Sequence, residues 1–257
     1  MLKSNLKTYV VSLKTEKIRR AQIKKILDNL GIAFDFFDAI NPNVDKKYLA
    51  NYNKAQAIQN CGRELTTGEL GCNLSHQMVY KDLVESKHDF ALVLEDDALV
   101  NLDIVEVLNS ILEEKVQWDV VLLGYSKINK KMYSKINFQN PIGKSILNID
   151  NYSIGVVNRN YTSGTVGYLI SNNAAKKIID DGYLGVCLAD NWDLYHKKSN
   201  LKIYHCRPFL IFEDFENLNS SISYERDLNE VRGYSKSIFF DILRNLRGIY
   251  RYIKLRL

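Results

Sequence analysis

Three consecutive acids, Glu95, Asp96 and Asp97, are the residues of this sequence best suited to hold a hard divalent cation. Carboxylate oxygens suit Mg2+ and Mn2+, and such an ion on a diphosphate takes up the charge that develops as a bond to it breaks. The triplet directly follows Phe90-Ala91-Leu92-Val93-Leu94, a run apolar on both faces, as expected of a central strand in a sheet flanked by helices. In open α/β sheets ligands gather at the carboxyl ends of the strands. Alternation along an extended chain sends Glu95 and Asp97 to one side and Asp96 to the other, so Asp97 and Glu95 are the expected metal ligands and Asp96 a neighbouring contact. The same triplet can also belong to a solvated loop, or to the start of a helix at Ala98-Leu99-Val100, where acids favour the dipole. Short acidic motifs match by chance often enough that context must decide.

A second acidic group lies in Leu188-Ala189-Asp190-Asn191-Trp192-Asp193-Leu194. Asp190 is the first choice for a general base, since a weak hydroxyl nucleophile needs one at neutral pH, and Asp193 is the reserve. Trp192 between them offers an aromatic face. The plainer reading makes Asp190 the cap of a helix that begins at Asn191, with Trp192 in the core. His205, on the short strand Leu201–Cys206, is a candidate third metal ligand, and His76, beside Ser75, a candidate contact to a bound substrate, although a single histidine is more often structural. Ser12 ends the first strand, over which nucleotides usually lie. Arg19 and Arg20 can offer bidentate donors to phosphate or form a solvated helix face.

The elements that must position these groups follow from periodicity. Thr8 to Leu13 reads as a buried strand, Glu16 to Leu30 as a helix closed by Gly31, and Phe34 to Ala39 as the next strand, an order that predicts parallel pairing with a right-handed crossover. Residues 41–63 are polar, helical in part, and read as an excursion over the sheet edge or a ligand. Thr66 or Thr67 can cap the helix that carries Leu70, Leu74, Val79 and Leu83. Ser126 to Arg159 has no assignable pattern. From Phe239 the apolar positions Ile242, Leu243, Leu246, Ile249, Tyr250, Ile253 and Leu257 form one helical stripe, with Arg244, Arg247, Arg251 and Lys254 beside it. Such a helix can lie in an anionic membrane surface or fold back on its own domain. The division expected is one domain over residues 1–235 and this amphipathic basic helix over 236–257.

Composition narrows the class. The chain has 257 residues, 46% hydrophobic and 25% charged, so it can bury one large α/β core. A formal charge of +5 is modest for that length and does not demand a nucleic-acid partner. Cys61, Cys72, Cys187 and Cys206 show no CxxC spacing, and free thiols in a reducing compartment are expected. Neither a signal peptide nor a membrane span is read in the sequence, so the expected place is the cytoplasm, with peripheral contact at the cytoplasmic face of the inner membrane.

Several of these segments, taken in order, resemble glycosyltransferase family 25, the lipooligosaccharide biosynthesis enzymes that also include collagen galactosyltransferases. Val10-Val11-Ser12-Leu13 with Arg19-Arg20, and Phe36-Phe37-Asp38-Ala39, are similar to the family's opening strands and basic helix. Gly68-Glu69-Leu70-Gly71-Cys72-Asn73-Leu74-Ser75-His76 resembles its Gly-Glu-x-Gly-Cys-x-x-Ser-His segment, and Leu94-Glu95-Asp96-Asp97-Ala98 its acidic motif. Trp118 to Gly124 and Gly164 to Ser171 fall where the family has similar strands. The resemblance spans roughly Tyr9 to Pro208, tightest in the first half.

This resemblance implies a GT-A-like fold with a mostly parallel central sheet flanked by helices. It implies a UDP-sugar donor, Mn2+ or Mg2+ as cofactor, and transfer of a sugar, galactose first, with inversion to a saccharide acceptor that is lipid-linked or protein-linked. Ser12, Arg19, Ser75, His76, Glu95 and Asp96 are then the expected donor contacts. Alternatives are glucosyl or N-acetylhexosaminyl transfer on the same site, or a non-catalytic carbohydrate-binding protein of this fold. A metal-dependent phosphotransferase or nucleotidyltransferase is weaker, because the sequence has no Gly-rich phosphate loop of either usual type.

Overall fold

A computed structural model describes residues 2–3, 5–126, 128, 132–157, 163–214 and 238–254. In chain order the strands are β1 (Leu6–Ser12), β2 (Asp35–Asp38), β3 (Phe90–Glu95), β4 (Ala98–Val100), β5 (Val120–Leu122), β6 (Ser145–Ile149), β7 (Tyr152–Gly155), β8 (Gly167–Ser171), β9 (Ile203–Arg207) and β10 (Ile211–Glu213). The helices are α1 (Lys17–Asn29), α2 (Lys54–Cys61), α3 (Thr67–Glu85), α4 (Ile104–Glu113), α5 (Tyr133–Gln139), α6 (Asn172–Asp180), α7 (Trp192–Ser199) and α8 (Ile238–Lys254).

Eight strands form one sheet in the order β2-β1-β3-β8-β5-β9-β7-β6, and β4 pairs with β10 apart from it. β8 and β7 run against the other strands of the sheet, which share one direction. The expected α/β class, a mostly parallel central sheet between helices, is the fold observed. The expected β1-α1-β2 unit is present, with Tyr9 paired to Asp35 and Ser12 to Asp38 in parallel register.

β3 shows why the sheet sits at the centre. Leu92 and Leu94 pack into the core beneath α1 and α4, while Ala91 and Val93 pack into the core beneath α3, α6 and α7. Period-two alternation therefore buries both faces. On α3, Thr66 accepts the Glu69 N–H at 3.2 Å and the Glu69 carboxylate accepts the Thr66 N–H at 3.0 Å, a complete capping box that Arg63 buttresses at 2.7 and 2.8 Å. Thr66, rather than Thr67, is the cap. Gly71 lies where a Cβ would stand 2.5 Å from the Ile40 carbonyl, so only glycine lets the chain after β2 cross α3 this closely.

The patternless segment conceals α5 and the β6–β7 hairpin that closes one sheet edge. Their strands are short, and only an edge position buries them. α8 lies on α5 through small and polar positions: the Gln139 amide donates to Asn245 Oδ1 at 2.8 Å, Arg251 donates to the Gln139 carbonyl at 3.2 Å, and Gly248 is buried against Phe138. The stripe residues Leu246, Ile249, Tyr250 and Ile253 stay exposed. Leu257 and the expected boundary at 235–236 fall outside the described residues. No helix of the described residues is long and apolar enough to cross a membrane.

Candidate active site

The acidic triplet sits at the carboxyl end of β3, beside the ends of β1 and β2. Beyond Glu95 the chain turns into β4, so strand alternation stops and the expected split of the three acids does not hold. Glu95 alone faces the α3 side: it accepts the Thr165 hydroxyl, and His76 Nε2 stands 3.8 Å from Glu95 Oε1. His76 Nδ1 meets the Tyr168 hydroxyl at 2.7 Å, and Tyr168 meets Tyr80 at 2.9 Å, which makes a buried polar chain whose last ring faces Glu95. Asp96 and Asp97 converge instead on Arg19, whose Nε lies 2.9 Å from Asp96 Oδ1 and whose Nη2 pairs with Asp97. Ser12, buried at the end of β1, donates to Asp96 Oδ2 at 2.5 Å.

Charge in this corner is unbalanced. Burial, then the neighbouring carboxylate of Glu95, with those of Glu213 and Asp96 behind it, pushes the Asp97 carboxyl well above its usual range against the pull of Arg19. Burial also raises Asp96, opposed by Ser12 and Arg19. Burial works on Glu95 in the same sense, but the His76 imidazole, Thr165 and Arg19 outweigh it and leave Glu95 below its ordinary value. Asp97 Oδ1 is buried without a hydrogen-bond partner. Crowded acids with an orphaned carboxylate oxygen have the oxygen chemistry of a hard divalent ion site, although Glu95, Asp96 and Asp97 do not themselves form a group whose ligand atoms all lie within 4.8 Å of one another.

Asp190 is brought to the same rim by the loop that enters β8. Its Oδ2 accepts the Gly164 N–H at 2.8 Å, the Trp192 indole donates to the Gly164 carbonyl at 3.1 Å, and the next residue, Thr165, holds Glu95. Gly164 has φ +100, and a Cβ there would press on Ser126, so the loop requires glycine. The helix cap is Asn191, which accepts the Leu194 N–H at 3.3 Å, and not Asp190, whose carboxylate is engaged by Gly164. Trp192 is a core residue, packed edge-on against Tyr168 at 5.1 Å and Tyr195 at 5.7 Å. Asp193 pairs along α7 with Lys197 at 2.5 Å.

Other predicted residues have framework contacts. Ser75 donates to the Gly71 carbonyl at 2.6 Å and accepts the Ile40 N–H at 2.8 Å. Arg20 ties the Ser12 carbonyl to Asp38 at 2.7 and 2.6 Å and lies over Phe36. His205 is not beneath the triplet. It sits on β9 beside Leu122 of β5, and both β5 and β8 separate β9 from β3; three strand spacings are about 14 Å, too far for one ion to join His205 to Glu95. The donor atoms that do converge among the described residues belong to Cys72, His76 and Glu95, all within 4.8 Å of one another. Sequence reading passed over Cys72 and Thr165; the spacing of Cys72 and His76, one turn apart, was the available signal. A cavity of about 450 Å³ against Phe90, Trp118, Asp119 and Ser171 lies at the opposite, amino edge of β3 and β5, away from all these groups.

The sequence profile of glycosyltransferase family 25, an LPS biosynthesis family, matches residues 5–184. Procollagen galactosyltransferase 1-B of Xenopus laevis is 30% identical over 193 residues, 70% of this chain and 29% of that protein. The lacto-N-neotetraose biosynthesis glycosyltransferase LgtE of Neisseria meningitidis serogroup B is 25% identical over 273 residues, 98% of this chain and 93% of that one. A Haemophilus influenzae protein described as a glycosyltransferase is 28% identical, covering 87% and 76%. The chain thus spans less than a third of the procollagen enzyme but nearly all of the Neisseria one. With its matched profile running from β1 past α6, through the Gly-Cys-Ser-His helix and the acidic strand end, the chain belongs to glycosyltransferase family 25.

Proposed function

We propose that the protein transfers a hexose, galactose in first place, from a UDP-sugar to a saccharide acceptor with inversion, aided by Mn2+ or Mg2+ at the triplet. The observation that carries this reading is the buried, unpartnered Asp97 Oδ1 among Glu95, Asp96 and Glu213 at a strand carboxyl end. Galactosyl transfer is supported by similarity to the procollagen galactosyltransferases.

Asp97 would hold the ion, and Glu95, which faces Thr165 and His76, would have to turn toward Asp97 to join it; such an ion would neutralise charge on the departing diphosphate. Arg19 fixes Asp96 and Asp97 in place, and Ser12 anchors Asp96 to the end of β1. Asp190 is the base: the Gly164 N–H orients its carboxylate, which takes the proton of the acceptor hydroxyl. A lipid-linked acceptor is consistent with the exposed stripe of α8, which we place against an anionic membrane surface at the cytoplasmic face. Replacing Leu246 and Ile249 by Ser should then weaken sedimentation with phosphatidylglycerol vesicles while transfer to a soluble acceptor persists.

The reading is tested by screening UDP-sugars for UDP release with and without Mn2+. Release that needs the metal, strongest with UDP-galactose, is expected. Binding of a UDP-sugar with no release in any condition would mark a carbohydrate-binding protein of this fold instead.

A further inference from the structure

We propose that Cys72, His76 and Glu95 form a binding site for a thiophilic divalent cation of the zinc class. It shares Glu95 with the hard-cation position proposed at Asp97 but differs from it in donor chemistry, and its readouts do not require the transfer reaction. Cys72 and His76 lie one turn apart on the same face of α3, and Glu95 reaches them from the end of β3. The thiol sulfur, imidazole nitrogen and carboxylate oxygen lie within 4.8 Å of one another. Donors around a tetrahedral zinc ion, with bonds of about 2.0 to 2.3 Å, stand about 3.3 to 3.8 Å apart. His76 Nε2 and Glu95 Oε1 are already 3.8 Å apart, so closure on an ion needs movement of about an ångström.

The imidazole is prepared for this role. Its Nδ1 is engaged by the Tyr168 hydroxyl at 2.7 Å, which Tyr80 supports in turn, and this fixes the ring with Nε2 toward Glu95. His76 is 1% exposed, and its Nε2 has no hydrogen-bond partner. Such an atom is costly to bury unmatched, and a metal bond matches it. A sulfur and a nitrogen donor select zinc over magnesium or manganese. On binding, the Cys72 thiol loses its proton to solvent, and three protein ligands leave a fourth position for water.

Cobalt(II) is the probe, added to the full-length chain and followed by absorption. One equivalent should give visible bands of a four-coordinate ion and a near-ultraviolet thiolate-to-cobalt band. Zinc should displace both. Asp97→Asn and Cys187→Ser should keep the thiolate band, whereas Cys72→Ser should lose it and His76→Gln should weaken cobalt binding at least about tenfold. Should Cys72→Ser not fold, wild-type protein answers the same question: zinc should protect Cys72 from alkylation, as mapped by mass spectrometry. A wild-type chain with no thiolate band, a band that survives Cys72→Ser, or Cys72 alkylated equally with and without zinc overturns the proposal. Loss of UDP release in the donor screen leaves these readouts untouched, so the two ideas fail separately.

Discussion

His76 and His205 are equally buried, each 1% exposed; by residue type His205 was a candidate metal ligand and His76 a candidate substrate contact. Their surroundings differ completely. His76 has Tyr168 on one nitrogen and Glu95 facing the other, at the end of the strand that carries the acids. His205 has no hydrogen-bond partner on either nitrogen and lies near the buried Arg207, whose guanidinium stacks over Phe209 at 4.0 Å. Burial with Arg207 behind it pushes His205 well below the usual imidazole value, so it stays neutral. Burial alone therefore does not tell the two histidines apart; what their ring nitrogens face does.

The largest test of that contrast removes the charge at the β3 end. Asp97→Asn should abolish metal-dependent UDP release, while His205→Leu should keep both the release and its metal requirement. Loss of metal dependence in His205→Leu would move the site toward β9. Asp190→Asn should lower turnover by at least about a hundredfold with UDP affinity nearly unchanged by calorimetry; unaltered turnover removes Asp190 from the mechanism.

Stability should separate the two rings next. His76→Leu takes away the imidazole that meets the buried Tyr168 hydroxyl at 2.7 Å and should cost about 1 to 3 kcal/mol in urea unfolding, whereas His205→Leu removes an unmatched polar group and should be near neutral or stabilising. The pH dependence gives the finest distinction. With a folded value far below the ordinary 6.5, His205 takes up a proton in the unfolded chain before it does so in the folded one. Below about pH 6.5 that lowers stability by about 1.4 kcal/mol per pH unit until the folded value is reached, and His205→Leu should flatten that slope. Glu95 is shifted down as a carboxylate, so its contribution is present above its unfolded value of 4.5 and is lost only as pH falls through the lower folded one. An unchanged slope in His205→Leu would sink the account of a buried neutral ring.

Where periodicity and chemistry coincided, the fold was legible beforehand. β1, α1, β2, α3 and β3 were read close to their observed limits, because each carries a long apolar pattern or a cap such as Gly31 or Thr66. α5, β6 and β7 were invisible, since their short runs acquire meaning only from neighbours at a sheet edge. The position of the triplet at a strand end was legible too. That Asp96 and Asp97 share Arg19 was not, because it depends on a turn after Glu95 that alternation cannot express.

Sequence alone determined which residues could do chemistry, the class of the fold and the family, since these depend on residue type, period and order along the chain. Tertiary structure decided the company each residue keeps. It set Asp190 beside Gly164, left Asp97 Oδ1 without a partner, buried Trp192 among tyrosines and kept His205 three strands from β3. The reason is physical: these relations join residues tens of positions apart, and only strand order and helix packing fix which of them meet.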